Sequence, residues 1–548
     1  MAAHRTLRDR LVSRILLFSL YFVCVVLLQW RANTFRSELG GDPDEPAHYV
    51  TGLMVHDYIA AGFPGSPMPY ARDYYLHYPK VALGHWPPFF YVVQAVWTLV
   101  FTTSRTSVML LMAAITALLA TVLCESLRDE CSLAVGMGAA ALMISVPVIE
   151  EASHLLMAEM LVALLVLLAV LAYGRYLDTE GWRPAAWFGI WFTLALLTKG
   201  TAIQLALVPP LAVLFGRRWH LLRRFSFWLP AILVLSIAGP WYLRVPGAQH
   251  ESVARYGGLT FFRYRLTETP VDWADMLGIV LLAAATLGLL ICCRQILRGS
   301  AAGKWTASLA VLLGVYLVRP FIGAFEDRHL VVNIPVLLMF SAMGAAWCLR
   351  QPRWQRLKAT PRNLLVGLVL IALVSFNVRE SPVKLHYGFS EAAQDLLSRP
   401  AFKDSVFLIC GSPTSEGVLI SEVAARESRP GHIVLRASKM LASQDWMGLH
   451  YQPIFHDQDD VLQYLESIPT GIVIIDAEGR ETPHGHLLSQ GIQLHPEKWE
   501  LLAQYPPGGG GHFRAGDIQV YRLIGHEGRP VSKIRIPMRS GLYGDFEN

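Results

Sequence analysis

Three carboxylates and an imidazole crowd the stretch Gly-Asp-Pro-Asp-Glu-Pro-Ala-His-Tyr that runs from Gly41 to Tyr49: Asp42, Asp44, Glu45 and His48. Pro43 and Pro46 stiffen the backbone around them. A carboxylate held in this way can act as a general base, taking a proton from a hydroxyl or amine within hydrogen-bond reach. It can equally ligate a divalent cation. The plain alternative is structural, with Asp44 or Glu45 starting a helix over 46–60 and complementing its dipole. The two uses are compatible, because a rigid helix start is a good mount for a catalytic acid.

Other ionisable and aromatic groups recur at the ends of apolar runs. Glu159 opens one such run, with His154 about a turn ahead of it; an ionisable group there reads as functional, or as a glutamate resting at headgroup depth. Lys199 ends the helix that closes Leu-Thr-Lys-Gly, and Lys80 and Arg328 stand in loops. These three could hold a phosphate, Lys as a point charge and Arg as a bidentate fork. Lys199 would serve as well as an interfacial anchor, and Arg328 could simply pair with Glu326 or Asp327. His48, Tyr49, His85, Trp86, His154, Glu159 and Glu326 complete the candidate substrate contacts, although an aromatic belt explains Trp86 without a ligand. Asp44 and Glu159 are the groups to hold a metal if there is one.

These residues need a frame. In 548 residues, 53% are hydrophobic and only 16% charged, which excludes an ordinary soluble enzyme and points to a polytopic helical membrane protein. The net charge of +5 is spread thinly over loops, so no nucleic-acid surface is expected, and Lys and Arg face water or lipid headgroups. Seven cysteines, five of them in or beside apolar runs, suggest neither a disulfide framework nor a zinc site. Arg5, Arg8, Arg10 and Arg14 precede the first apolar run, 15–30, and no small-residue cleavage site follows it; it is expected to be a retained span.

Eleven apolar runs are expected to span: 15–30, 106–124, 133–149, 160–174, 184–198, 200–216, 225–243, 276–293, 305–318, 330–349 and 363–378. A further run, 81–104, opens with Gly-His-Trp-Pro-Pro. If it does not cross, alternate loops carry fifteen Lys and Arg on one side, concentrated at Arg217, Arg218, Arg223 and Arg224 and again from Arg350 to Arg362, against seven on the other. The positive-inside rule therefore makes 87–103 an aromatic helix lying in the outer interface. The loop 31–105 and the groups at Lys199, Glu159 and Arg328 then share the external side. The N-terminus is cytoplasmic, 1–378 is the membrane domain, and 379–548 is a soluble external domain. Short β-like runs at 405–410, 432–435, 471–476 and 518–523 alternate with helical patterns there, which argues an α/β fold. The Gly508–Gly511 run reads as a loop rather than a phosphate cradle.

In order along the chain come Asp44-Glu45-Pro46-Ala47-His48-Tyr49, Trp86-Pro87-Pro88-Phe89-Phe90-Tyr91, Leu197-Thr198-Lys199-Gly200 and Glu326-Asp327-Arg328-His329. Their order and spacing over about 10–350 resemble the GT-C membrane glycosyltransferases, and most nearly the bacterial aminoarabinose transferases, protein O-mannosyltransferases and lipopolysaccharide core transferases. The resemblance implies transfer of a sugar from a polyprenyl-phosphate donor to an envelope acceptor at the periplasmic face of a bacterial inner membrane. Carried over, Asp44 would activate the acceptor with Glu45 in support, and Lys199 and Arg328 would contact the lipid phosphate. Glu159 stands where many relatives carry an Asp. Some of these enzymes need a divalent cation and others do not. A lipid-linked sugar flippase or a non-catalytic membrane scaffold is the other class to weigh; a flippase should show ionisable groups deep in its spans and matched halves, and here the middles of the spans are bare.

Overall fold

The computed structural model describes residues 7–82, 84–244, 259–321, 326–356, 358–444, 450–468, 470–505, 517–525, 534–536 and 546–547. The Gly508–Gly511 run lies outside them. The chain divides into two compact units. The first comprises 1–32, 84–90 and 110–382; the second joins 33–83 and 91–109 to 383–548.

The first unit is a helical bundle. Among the described residues six helices are long and apolar enough to cross a membrane: Arg8–Arg31, Arg105–Arg128, Glu159–Thr179, Ile279–Leu297, Asp327–Leu349 and Ala359–Glu380. Leu133–Ser145 and Pro147–His154 make a seventh if counted together, bent by 64° where Pro147 ends the first hydrogen-bonded ladder. Other apolar runs fold into pieces too short for a straight span. Gly200–Leu207 is a 3-10 turn that becomes α-helix only at Val208, just ahead of Pro209 and Pro210, and Phe225–Ile237 contains Pro230. Ala359–Glu380 is apolar around its circumference, with Leu364, Leu368, Ile371 and Phe376 all exposed; such a surface belongs in lipid.

Small residues let these helices touch backbone to backbone. A Cβ on Gly344 would meet the Ala284 carbonyl at 2.2 Å, and one on Gly288 the Phe340 carbonyl at 2.0 Å, which locks Ile279–Leu297 against Ile334–Leu349. Gly174 faces Lys304 in the same manner, and there the Gly303 N–H donates to Asp178 at 2.7 Å. Where lipid outside is as apolar as a side chain, such close packing is what holds helices together.

The run 81–104 contains one helix, Phe89–Val100, of 12 residues. At 1.5 Å per residue it is about 18 Å long, well short of the roughly 30 Å hydrocarbon core. Val92, Val96 and Leu99 line its exposed side at helical spacing.

The second unit is built on a mixed sheet. Its strands are β1 (Val406–Cys410), β2 (Val434–Arg436), β3 (Ala442–Ser443), β4 (Gln452–Pro453), β5 (Thr470–Ile475), β6 (Trp499–Tyr505) and β7 (Ile518–Leu523). Five of them run in the order β2-β1-β5-β7-β6, parallel across the first three and antiparallel at β7 and β6, while β3 and β4 pair apart. β1 and β5 are buried along their whole length, as a sheet covered on both faces requires. The helix Glu45–Ala60 packs on Pro413–Arg426 in this unit, where Gly417 leaves room for Pro46. A bidentate pair at 2.8 and 3.0 Å between Arg429 and Asp57 fixes its far end.

Candidate active site

In the second unit, Asp44 occupies the N-cap of Glu45–Ala60, and its side chain makes no cap hydrogen bond. Asp42 Oδ1 accepts the Asp44 N–H at 2.8 Å instead, and the Asp44 carbonyl begins the helix by accepting from His48 N at 2.9 Å. Asp42 thus shapes the turn, and the Asp44 carboxylate is half-buried beside it. Glu45 is fully buried; it pairs with Lys384 at 2.7 Å and accepts the Gly41 N–H at 3.0 Å. It therefore holds the turn from within. His48 is buried with Nδ1 2.9 Å from the Tyr91 hydroxyl, and the charge of Asp44 acts on that hydroxyl. Tyr49 spends its hydroxyl on the Thr103 carbonyl at 2.6 Å and is a packing residue.

Lys80 belongs to the same neighbourhood. It donates to the Pro413 carbonyl at 3.1 Å, and burial, reinforced by Arg436, pushes its ammonium down to about 7 against the pull of Asp44 and Glu416. It is a cation that can lose its charge near neutrality.

The first unit holds a separate cluster. Glu159 begins its helix at 2% exposure. Lys199 pairs with its Oε1, and Arg328 Nε lies 3.9 Å from the same oxygen. Arg328 also reaches Glu326 at 2.6 Å, and His329 Nδ1 accepts the Glu326 N–H at 3.2 Å. Lys199 sits in extended backbone between a helix and a 3-10 turn. The Gly-His-Trp-Pro-Pro segment docks at this point, because Phe89 N donates to the Leu197 carbonyl at 2.9 Å. There the His85 and Trp86 rings stand edge to face, 4.6 Å apart. Lys199 and Arg328 thus stand against two carboxylates, buried Glu159 and exposed Glu326, and an anion that displaced Glu326 would meet both cations. His154 lies elsewhere in the bundle, buried 3.9 Å from Glu150, whose carboxylate also accepts from Ser381 and faces Arg31 at 3.6 Å.

For a metal, Asp44 and Glu159 fall in different units, and Glu159 is engaged by its two cations. Among the described residues, Glu38, His386 and Glu391 bring three ligand-type atoms within 4.8 Å. His386 Nδ1 lies 3.0 Å from Glu38, and Nε2 hydrogen-bonds Glu391 at 3.0 Å. The hydrogen bond to Glu38 raises its pKa to about 9. Glu38 in turn accepts from the backbone of Tyr387, Gly388 and Ser390. An imidazolium bridge and a helix cap account for all three groups.

Comparison with known proteins places this arrangement. Residues 85–243, which include Trp86, Glu159 and Lys199, match the family model of the dolichyl-phosphate-mannose-protein mannosyltransferases. ArnT from Cupriavidus metallidurans in the apo state superimposes with a TM-score of 0.59 at 16% identity, over 93% of this chain and 99% of ArnT. ArnT bound to undecaprenyl phosphate gives 0.56 at 13%, with the same coverage. The fold is that of the GT-C membrane glycosyltransferases. The apo oligosaccharyltransferase of Archaeoglobus fulgidus aligns at a TM-score of 0.55 and 13% identity, over 92% of this chain and 76% of its own. A comparison by sequence with curated proteins gives no match. The chain thus shares this fold, with six helices among the described residues long and apolar enough to cross a membrane; its second unit carries Asp44 and its first Glu159, Lys199 and Arg328. Sequence reasoning missed Lys384 and Glu38, which hold the Asp44 turn and the segment at 387–390; each lies more than three hundred residues from its partner in the chain, and no local spacing could reveal the pairing.

Proposed function

We propose that the chain transfers a sugar from a polyprenyl-phosphate donor to an envelope acceptor at the periplasmic face of a bacterial inner membrane. In this reading the eleven apolar segments cross, several as short or bent pieces, Phe89–Val100 lies in the interface, the N-terminus is cytoplasmic and residues 379–548 are periplasmic. Asp44 takes the proton from the acceptor hydroxyl or amine as that atom bonds to the anomeric carbon. The bond from that carbon to the phosphate oxygen breaks, and its electron pair leaves with the polyprenyl phosphate. Lys199 and Arg328 stabilise the departing phosphate, while Glu159 fixes both cations; Lys80 adds a titratable charge beside Asp44. His48, His85, Trp86 and Glu326 are the further substrate contacts in this reading.

The observation that carries this reading is the Asp44 carboxylate, which stands at a rigid helix start, makes no cap hydrogen bond there, and has its own N–H held by Asp42. ArnT bound to undecaprenyl phosphate, as a protein of the same fold, supports the class of donor. A general base contributes about 10²–10⁴-fold, so Asp44→Asn should lower transfer from a labelled polyprenyl-phosphate sugar in membranes by at least about a hundredfold, with the protein level unchanged. Full transfer by that variant removes Asp44 from the role.

A further inference from the structure

At the far end of the bundle from Glu159 lies a cavity of about 1490 Å³ that the transfer reading does not use. The helix Glu159–Thr179 separates the two places: Glu159 is its first residue, while Arg175 and Asp178 at its other end line the cavity. Its 21 residues correspond to about 30 Å. Six cations face the space, Arg10, Arg14, Arg128, Arg175, Arg183 and Lys304, against the three carboxylates Glu125, Asp129 and Asp178.

The acids are largely spent on structure. Glu125 takes Arg128 at 2.7 Å and Arg14 at 3.3 Å, and Asp178 accepts the Gly303 N–H at the helix crossing. Lys304 turns to Glu130 at 2.8 Å and to the Ser126 carbonyl at 2.6 Å. Arg10 and Arg175 pair with no carboxylate among the described residues, and Arg128 Nη2 is buried there without a hydrogen-bond partner. Beside this cationic rim the wall is apolar, formed by Ile15, Phe18, Leu118, Val122 and Leu171. Trp187 and Trp191 stack at 5.4 Å, with Trp187 half exposed, as aromatic residues do at a membrane interface.

We infer that this cavity binds an anionic phospholipid, its phosphate against Arg10, Arg175 and the open Arg128 nitrogen and its acyl chains along Phe18, Leu118 and Leu171. Unpaired arginines beside an apolar wall match a lipid that is anionic at one end and hydrocarbon at the other, and basic pockets between transmembrane helices take such headgroups. The volume exceeds what a bare phosphate fills, and the apolar wall offers that ion nothing. The site stands apart from the donor cluster and does not depend on the transfer reading.

The test is native mass spectrometry of the full chain in mild detergent, titrated separately with phosphatidylglycerol, phosphatidylethanolamine, undecaprenyl phosphate and inorganic phosphate. Phosphatidylglycerol should bind with one-to-one stoichiometry and at least about tenfold more tightly than phosphatidylethanolamine, and the double variant Arg10→Ala with Arg175→Ala should lose that preference. Leu171→Trp keeps every cation and fills the apolar part, and it too should weaken phosphatidylglycerol binding. Melting temperature and elution profile establish that each variant is folded, and a variant that fails this control is replaced by Arg175→Gln alone. Equal binding of the two phospholipids, unchanged binding in the folded variants, displacement by inorganic phosphate, or displacement by equimolar undecaprenyl phosphate would each overturn the assignment.

Discussion

Asp44 and Asp42 divide two tasks that either could perform: the outer aspartate closes the turn, and the inner one presents its carboxylate. The cations divide likewise. Lys199 and Arg328 meet on Glu159, and a buried carboxylate stripped of a partner costs about 3–5 kcal/mol. Lys199→Ala should therefore lower both thermal stability and transfer; adding Glu159→Gln should restore the melting temperature but leave transfer low. Recovery of both by the double variant would make Lys199 a purely structural counter-ion. Lys80 gives a pH signature. Its ammonium, held near 7, is charged below that pH and neutral above it, so transfer that uses the charge declines as pH rises through 7. Lys80→Arg keeps its charge throughout, and its pH–rate profile should extend to higher pH; a profile that does not move would remove Lys80 from the reaction. Lys199 and Arg328 stand out in the sequence because charges at the ends of apolar runs are costly without a use, and the structure brings both to Glu159. The alternative pairing of Arg328 with Glu326 is also present, at 2.6 Å, and coexists with its approach to Glu159.

Elements were legible where period and composition agree. The expected strands at 405–410, 471–476 and 518–523 lie within a residue of β1, β5 and β7 at either end, because β-branched runs flanked by turn residues leave little choice. β6 escaped notice: of Trp499–Tyr505 only Trp499 is buried, and the strand carries Glu500 and Gln504, so no buried alternation marks it. Apolar runs placed the membrane helices but not their breaks, which proline and 3-10 geometry decide. Crossings at glycine depend on neighbours remote in sequence. Gly344→Leu should separate Ile279–Leu297 from Ile334–Leu349 at a cost of about 1–3 kcal/mol or more, seen as a lower melting temperature in detergent, while Gly367→Leu, where nothing lies within 4 Å, should leave it unchanged. Equal melting temperatures for the two would contradict the close packing at Gly344.

At the scale of the molecule, composition alone required a membrane protein, and the order of short motifs pointed to the GT-C fold. What composition could not convey is that the loop after the first span folds with the C-terminal segment as one unit, because that union rests on pairs such as Asp57 with Arg429 and Glu45 with Lys384. We propose that this molecule consumes a lipid-linked sugar on the outer side of the membrane. Mass spectrometry of lipids from cells carrying Asp44→Asn, with periodate oxidation of intact spheroplasts to mark the outer leaflet, tests it most directly. A polyprenyl-phosphate sugar should accumulate and be open to oxidation from outside; an unchanged lipid profile, or accumulation shielded from the oxidant as a blocked flippase would give, would overturn the proposed transfer.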